Sequence, residues 1–499
     1  MLRYLTTLAV IVYMLGTPRC ASAAAPPRGE KRVPAVIDDL QHRAFDYFWT
    51  RADPRTGLVP DRYPTPSFGH IAGVGFALTA YPIGAERGWI TRAQARDRVL
   101  TTLRWLHDGP QGEAVTGTTG YRGFFYRYLD MATATRWGQI ELSTVDTALL
   151  LGGVLFAGAY FDGADPAEAE VRRLADDVFT RVDWKWMQVR GAAIAHGWVP
   201  DTRRVATNLL VGGTSLAAVT EKPTPGHLLL DWKGNNEAMI TYLMALASPT
   251  HGVGPEAWDA WTSTYDRDWA DLYGYEHLTF PALFAHQFTQ TWFDLRGVKD
   301  AYMRRRGIDY FENTRRAAYA QRAYAIANPR KWKDYGPEVW GLSATDGPAD
   351  VTLPYEGEQR TFRTYAARGV SAREIVDDGT LSPSGLISSI AFAPEIVIPG
   401  VEAMVRRYPF AIGTYGFFEA LNPSFDYDVP LHHGRLVKGN GWVDTDWIVI
   451  DQGPIVAMIE NYRTELVWRT VRKSPHVRRA LEKAGFTGGW LAETVAQER

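Results

Sequence analysis

Acidic side chains beside tryptophans mark the first segment of the chain that could perform acid–base chemistry. In residues 137–146, Glu141 precedes an apolar helical pattern and Asp146 falls in its first turn. Ser143 or Thr144 is suited to cap that helix, because a hydroxyl can accept a hydrogen bond from an unpaired backbone N–H. Acids at a helix start are also favoured by the helix dipole. The segment therefore fits either simple helix stabilisation or a pair of carboxylates at the mouth of a cleft.

Glu237 is a second candidate, at the start of the apolar helical pattern over residues 235–247. Trp232 and two asparagines precede it, and Asn235 is placed to cap the helix. These neighbours predict partial burial of Glu237, although a dipole-stabilised surface acid remains an alternative. Burial raises the pKa of a carboxyl group, which is what a general acid at neutral pH requires.

Two further acids stand at junctions in the C-terminal part of the sequence. Asp451 follows an apolar run and precedes a Gly-Pro pair, so it is either a helix cap or a site residue. Glu419 lies in a stretch rich in glycine and aromatic residues. The whole chain holds 18 Trp, 24 Tyr and 21 Phe. Flat apolar rings of this kind suit the C–H faces of sugars, although a single tryptophan more often packs in a core.

Composition and motifs exclude several other classes of protein. The net charge is −2, which argues against a nucleic-acid partner or an anionic membrane surface. The sequence has no G-x-S-x-G esterase elbow, no phosphate-binding glycine loop and no zinc-ligand pattern. His286, His432 and His433 are isolated and therefore favour core or loop positions over metal ligation. No metal ion or cofactor is predicted.

The N-terminus has the pattern of a secretory signal peptide over residues 1–23. A positive charge at Arg3 precedes an apolar run at 5–15 and a small-residue cleavage pattern ending at Ala23. Cleavage would remove Cys20, the only cysteine, and leave a mature protein without disulfides. We expect a periplasmic or secreted protein with a linker at 24–34 and no membrane attachment after cleavage.

Residues 35–490 read as a single all-α domain. The recurring helical patterns and the lack of a 34–47-residue repeat disfavour a solenoid and favour an (α/α)6 barrel, a toroid of paired helices with long loops and a few short strands. Residues 200–225 and 428–450 alternate in character and predict short strands or lid-like loops. Helical spacing of apolar residues predicts helices at 35–50, 71–82, 92–106, 143–161, 166–184, 235–247, 280–292, 308–327, 385–394, 398–407, 454–469 and 475–484.

A series of sequence blocks, found in order between about residues 40 and 485, resembles the glycoamylase-like family of bacterial proteins, close to glycoside hydrolase family 144. Blocks distributed over nearly the whole mature chain are more specific than any one motif. They occupy residues 45–49, 57–62, 141–151, 236–239, 248–251, 286–287, 309–313, 321–329, 340–347 and 451–463.

The resemblance implies an (α/α)6 barrel with a large cleft, no metal requirement, and inverting hydrolysis of β-1,2-glucan or sophoro-oligosaccharides. Glu237 matches the general acid, and Asp451 is the leading residue to activate or position water. Glu141 and Asp146 would bind sugar hydroxyls or tune the acid. Which carboxylate activates water stays open, and so does endo against exo action.

The substrate-binding residues expected beside these acids are aromatic or polar. The residues expected to stack on sugar rings are Trp137, Trp232, Tyr415 and Trp447. Those expected to make polar contacts are Asn236, His286, Gln287 and Glu419. The partner is then an oligo- or polysaccharide, bound by a monomeric protein.

Three alternatives remain open. A non-catalytic glycan-binding protein would bind sugar without releasing new reducing ends, although several clustered acids favour an enzyme. A polysaccharide lyase would use Tyr or His against an acidic uronate in a basic cleft. A phosphorylase on a related barrel would depend on phosphate.

Overall fold

The computed structural model describes residues 29–200, 210–211, 214–215 and 225–492. The predicted signal peptide and residues 24–28 of the predicted linker lie outside the described residues. So does most of the 200–225 segment, of which only residue 200, one pair of two-residue strands and residue 225 are described. No described helix combines the length and the apolar character needed to cross a membrane.

Helices dominate the described part of the chain, as the sequence predicted. Those at 35, 71, 92, 166 and 475 begin where expected, whereas three short helices at 256, 265 and 301 were not predicted. The helices are α1 Ala35–Arg51, α2 Ile71–Glu86, α3 Arg92–Asp108, α4 Thr144–Tyr160, α5 Pro166–Thr180, α6 Met239–Ala247, α7 Glu256–Thr262, α8 Tyr265–Asp268, α9 Phe284–Gln287, α10 Ala301–Arg306, α11 Tyr310–Ala327, α12 Pro383–Ile387, α13 Pro394–Arg407, α14 Val449–Thr464, α15 Leu466–Val471 and α16 Pro475–Lys483.

Three predicted helices differ from the structure. The helix expected at 385–394 is the short α12, which ends at Ile387. The segment expected as one helix at 280–292 forms α9 and a separate 3₁₀ turn, Thr289–Thr291. The helix expected at 454–469 instead begins at Val449 and ends at Thr464, where Glu465 adopts a left-handed conformation before α15. Pro454 lies inside α14, so the Gly-Pro pair does not mark the start of this helix as the sequence suggested.

The helices form two layers. An inner layer consists of α2, α4, α6, α9, α12 and α14, whose residues are buried over most of their length. Within it α2 packs against both α4 and α14, α4 packs against α6, and α12 packs against α14. The amide of Gln287 links α9 to α12 through hydrogen bonds of 2.8 Å to Gly385 O and Ser389 Oγ. Outer helices such as α1, α3, α5 and α16 cover this ring, because helices that are apolar all round must be enclosed.

Glycines allow the inner helices to approach closely. A Cβ atom on Gly153 in α4 would lie 1.9 Å from Gly75 O in α2, so the two backbones are in direct contact. On the other side of α2, Phe76 occupies the space where a Cβ on Gly453 of α14 would lie, 2.1 Å from the ring. These contacts set the spacing of three adjacent inner helices.

The strands of the described residues are two to five residues long and pair only in antiparallel fashion. The 428–450 segment contains strands, as predicted. The paired strands are Arg62–Tyr63 with Trp447–Ile448, Gly69–His70 with Tyr128–Leu129, Gly120–Tyr121 with Phe124–Phe125, Leu142–Ser143 with Gly197–Trp198, Leu210–Val211 with Thr214–Ser215, Trp269–Leu272 with Tyr275–Leu278, Ala344–Asp346 with Tyr365–Ala367, Val351–Tyr355 with Glu358–Phe362, Gly369–Val370 with Ile375–Val376, Ile412–Gly413 with Gly416–Phe417, and Gly441–Val443 with both Leu421–Asn422 and Arg435–Val437.

Three of these strands run directly into inner helices. Gly69–His70 leads into α2, Leu142–Ser143 into α4, and Trp447–Ile448 into α14. The antiparallel partners of these strands are other loop strands. The start of each of these inner helices is therefore tied to a neighbouring loop.

We expect Gly153→Ala to destabilise the barrel strongly, because its new methyl group would overlap a backbone oxygen that cannot rotate away. Overpacking of this kind costs about 1–3 kcal/mol or more, measurable as a lower free energy of unfolding in urea. Gly112→Ala is the matched control, since its nearest neighbour, Thr118 Cγ2, is 3.8 Å from the added Cβ. Equal stability of the two variants would contradict the close backbone contact.

Candidate active site

A cavity of 690 Å³ opens where several inner helices begin. His70 precedes α2, Asp146 lies in the first turn of α4, Glu237 precedes α6 and Asp451 lies in the first turn of α14. All four side chains line the cavity. Residues that are distant in sequence are therefore brought to one end of the barrel, and most of the predicted acids meet there.

Glu237 occupies the turn immediately before α6 and is only partly exposed to the cavity. Asn236 Oδ1 accepts a hydrogen bond of 2.9 Å from Ala238 N in that turn. The expectation that Asn235 caps the helix is wrong, because its amide instead donates to Leu278 O at 3.3 Å and the helix begins only at Met239. Burial raises the pKa of Glu237 to about 7.

Asp451 lies on another element of the same wall. Ser384 Oγ donates a hydrogen bond of 2.7 Å to its Oδ1, whereas its Oδ2 is buried without a hydrogen-bond partner. Burial, together with the nearby charge of Asp346, raises the pKa of Asp451 to about 7. The cavity thus contains two carboxyl groups that exchange protons near neutral pH.

Glu141 and Asp146 share one guanidinium. Arg127 forms an ion pair with Glu141 and places its Nε 3.2 Å from Asp146 Oδ2. Ser143 caps α4 as predicted, accepting from Asp146 N at 3.2 Å. Glu141 is buried behind the cavity wall, where desolvation raises its pKa to about 6. Burial also opposes ionisation of Asp146, but Arg127 and His70 together lower its pKa to about 2.

His70 bridges two carboxylates, an arrangement that sequence reasoning missed. Its Nδ1 lies 2.9 Å from Asp61 Oδ1 and its Nε2 lies 3.0 Å from Asp146 Oδ1. Both ring nitrogens can donate only when the imidazole is protonated. Burial disfavours that charge, yet the two carboxylates outweigh it and raise the pKa of His70 to about 9. Asp61 lies in one of the blocks that carry the family resemblance, which was the available signal.

A second acidic group contains Glu419, one of the predicted residues. Glu419 and Asp346 line the cavity, and Asp346 N donates to Glu419 Oε1 at 3.1 Å. Arg62 Nη1 donates to Asp346 Oδ2 at 2.8 Å. Desolvation and the charges of Asp346 and Asp444 raise the pKa of Glu419 well above its ordinary value.

Of the predicted aromatic residues, Trp232 alone lines the cavity. Its ring stacks on His196 with centroids 3.6 Å apart, and its indole N–H donates to Thr144 Oγ1 at 3.0 Å. Asn236 lines the cavity as well. Tyr365 also lines it and is 56% exposed, although no sequence motif indicated it.

The other predicted substrate contacts lie away from the cavity wall. Trp137 is largely exposed and packs against Phe68. Tyr415 and Trp447 are buried against one another with ring centroids 5.2 Å apart. In the alternating segment around Trp447, the tryptophan ring packs in the core. The next strand residue, Ile448, lines the cavity instead of Trp447.

His286 and Gln287 are likewise buried structural residues outside the wall. His286 Nε2 lies 3.3 Å from Phe280 O, and burial lowers its pKa to about 3, so the ring is neutral. The amide nitrogen of Gln287 donates to Gly385 O in α12 and to Ser389 Oγ just after it. The expected sugar contacts of these two residues therefore lack support in the geometry.

Comparison with known proteins finds carbohydrate-active enzymes among the relatives of this chain. Residues 229–475 match the protein-family model described as "Putative glucoamylase". A curated relative, the exo β-1,2-glucooligosaccharide sophorohydrolase (non-reducing end) of Parabacteroides distasonis, is 26% identical over 481 residues. That match covers 90% of this chain but only 57% of the relative, so the chain spans little more than half of its length.

Solved structures that resemble this chain have related names. A putative glucoamylase from Bacteroides caccae is 28% identical with a TM-score of 0.72, covering 91% of this chain and 99% of that one. The endo-β-1,2-glucanase from Chitinophaga pinensis, solved with sophorotriose and glucose, is 25% identical with a TM-score of 0.72, covering 91% and 98%. The predicted resemblance to the glycoamylase-like family and the (α/α)6 barrel are confirmed.

The two carboxylates around His70 predict a specific pH dependence of stability. The pKa of His70 is about 9 in the folded chain against an ordinary value of 6.5. Its stabilising effect is therefore complete below pH 6.5 and is lost as the pH rises through 9. We expect the free energy of unfolding in urea to fall over this window.

The variant Asp146→Asn removes one of the two carboxylates and should move this loss to lower pH and reduce its size. An NMR titration of the His70 ring would report the same shift directly. A pKa near 6.5 for His70 in the unaltered protein would contradict the bridging geometry.

Proposed function

We propose that this glycoamylase-like chain is a glycoside hydrolase that cleaves β-1,2-glucan or sophoro-oligosaccharides. The observation that carries the proposal is the pair of cavity carboxyls, Glu237 and Asp451, whose pKa values are both raised to about 7. Carboxyl groups poised near the working pH suit general acid and base roles. The names of the Parabacteroides and Chitinophaga relatives support the β-1,2 linkage.

In the proposed mechanism Glu237 donates a proton to the glycosidic oxygen as the bond breaks. Asp451 holds the attacking water on the opposite face of the sugar and accepts its proton. An inverting enzyme separates two such carboxyls by about 6.5–9.5 Å to leave room for that water. Ser384 Oγ fixes one oxygen of Asp451 at 2.7 Å, and the other oxygen, Oδ2, has no hydrogen-bond partner within the protein.

Asp146 has a different role because it is ionised across the whole neutral range. Held by His70 and Arg127, it accepts hydrogen bonds from sugar hydroxyls at the cavity wall. Glu141 acts from behind the wall by orienting Arg127. Neither residue needs to exchange a proton during turnover.

The cavity offers apolar surface for sugar rings beside these acids. Trp232, stacked on the His196 ring, contributes apolar surface to the cavity lining although most of its side chain is buried. Tyr365 and Phe280 supply further ring surface in the same cavity, and the amide of Asn236 can bind a hydroxyl. A lyase acting on uronates is less compatible with a cavity that contains so many carboxylates.

Export to the periplasm or beyond, and action as a monomer, complete the proposal. Residues 1–23 have the charge and apolar pattern of a signal peptide. Fractionation of cells that express the full chain, with N-terminal sequencing of the mature protein, tests export. Gel filtration tests the oligomeric state.

The substrate is tested by incubating residues 24–499 with linear β-1,2-glucan, and separately with starch and β-1,3-glucan. We expect sophorose or longer β-1,2-linked oligomers from the first substrate alone, separated by chromatography without added phosphate. The size ladder decides between endo and exo action. Binding of the glucan without new reducing ends would instead support a non-catalytic binding protein, and phosphate dependence would support a phosphorylase.

Glu237→Gln should lower kcat by about 10²–10⁴-fold, the usual effect of removing a general acid. Glu256→Gln is the matched control, since Glu256 is exposed at the start of α7, outside the cavity. In the unaltered enzyme kcat/KM should peak near pH 7. It should fall at lower pH as Asp451 gains a proton and at higher pH as Glu237 loses one. Near-normal turnover by Glu237→Gln would remove Glu237 from the mechanism.

A further inference from the structure

We propose that Asp346, Glu419 and Asp444 form a binding site for one Ca²⁺ ion beside the cavity. The proposal departs from the sequence-based expectation of no metal, and it does not depend on the glucan-hydrolase proposal. The three residues are buried and belong to separate segments of the chain: Asp346 ends the strand Ala344–Asp346, whereas Glu419 and Asp444 lie outside the strands.

The three carboxylates are close enough to share one hard cation. One carboxylate oxygen from each residue lies within 4.8 Å of the other two. Ca²⁺ and Mg²⁺ both prefer oxygen ligands, but Mg²⁺ usually binds through one or two carboxylates and keeps several waters. Three buried carboxylates therefore favour Ca²⁺, which accepts more protein oxygens.

Glu419 and Asp444 each have one oxygen fixed by the backbone and the other left free. Glu419 Oε1 accepts from Asp346 N at 3.1 Å, and Asp444 Oδ1 accepts from Asp446 N at 2.9 Å. Glu419 Oε2 and Asp444 Oδ2 are buried without any hydrogen bond. A buried polar atom without a partner costs stability, and a bound ion would supply the partner that these two oxygens lack.

Nearby positive charge does not satisfy the group. Arg62 is shared among three carboxylates, at 2.8 Å from Asp346, 3.5 Å from Asp446 and 3.7 Å from Asp61. Among the described residues, no lysine or arginine forms an ion pair with Glu419 or Asp444. Buried carboxylates require a counter-charge or a proton, and a divalent cation supplies the counter-charge for both.

Backbone hydrogen bonds connect two of the ligand segments, and the cavity gives an ion access to the site. Glu419 N donates to Asp446 O at 3.0 Å and Asp444 N donates to Ala420 O at 2.9 Å, which holds two of the ligand segments together. Asp346 and Glu419 line the cavity, so the ion can enter from there. Bound between the three segments, it would stabilise the folded chain by mass action.

The test uses residues 24–499 stripped with a chelator and then titrated with Ca²⁺, Mg²⁺ or Tb³⁺ in the absence of glucan. We expect one equivalent of Ca²⁺ by elemental analysis, a higher Tm with Ca²⁺ than with Mg²⁺, and Tb³⁺ luminescence excited through protein tryptophan. Ca²⁺ should displace the Tb³⁺ signal. Because no substrate is present, the outcome is independent of enzymatic activity.

Asp444→Asn and Glu419→Gln should each weaken Ca²⁺ binding by about tenfold or more. Asp428→Asn is the control, since Asp428 is an exposed carboxylate between Glu419 and Asp444 in the sequence. This variant should bind Ca²⁺ as the unaltered protein does. Circular dichroism establishes that each variant is folded, and either folded ligand variant suffices. Absence of any Tm shift or Tb³⁺ signal, or unchanged Ca²⁺ binding by the variants, would overturn the site and assign protons to these carboxyls.

Discussion

The inner helices are apolar on nearly every face, and this constraint governs the rest of the structure. Helices such as α2 and α4 can be buried only if other helices surround them, so the chain closes a ring and covers it with a second layer. Direct backbone contact at Gly75 and Gly153 fixes the spacing of that ring. Polar side chains are thereby displaced to the helix starts, which is where the acids of the cavity collect.

Buried carboxylates at one place must be divided between charged and neutral forms. Arg127 and His70 keep Asp146 ionised, whereas Glu237 and Asp451 have no comparable partner and hold protons near neutral pH. One cavity thus contains fixed anions for binding and titratable groups for proton transfer. The division follows from the placement of two basic side chains.

The acidic group around Glu419 follows the same logic with a different outcome. Arg62 is already engaged by three carboxylates, so the remaining charge must be met by protons or by an ion. A cation at this position would join three separate segments of the chain, and two of its ligands, Asp346 and Glu419, line the cavity. Substrate binding and loop stability would then be linked through the same wall, while the barrel itself remains held by helix packing.

The sequence determined the helical class, the positions of most long helices and the placement of Glu141 and Asp146 around the Ser143 cap, because these depend on local periodicity and capping. It also identified Glu237, Asp451 and Glu419 as acids worth attention. Tertiary structure alone decided which residues face the cavity. His70 joins Asp61 and Asp146 from positions 9 and 76 residues away, and ring closure buried Trp447 while exposing Tyr365. Contacts between distant segments leave no periodic signal in the sequence, so the charge pairing that sets each pKa emerges only on folding.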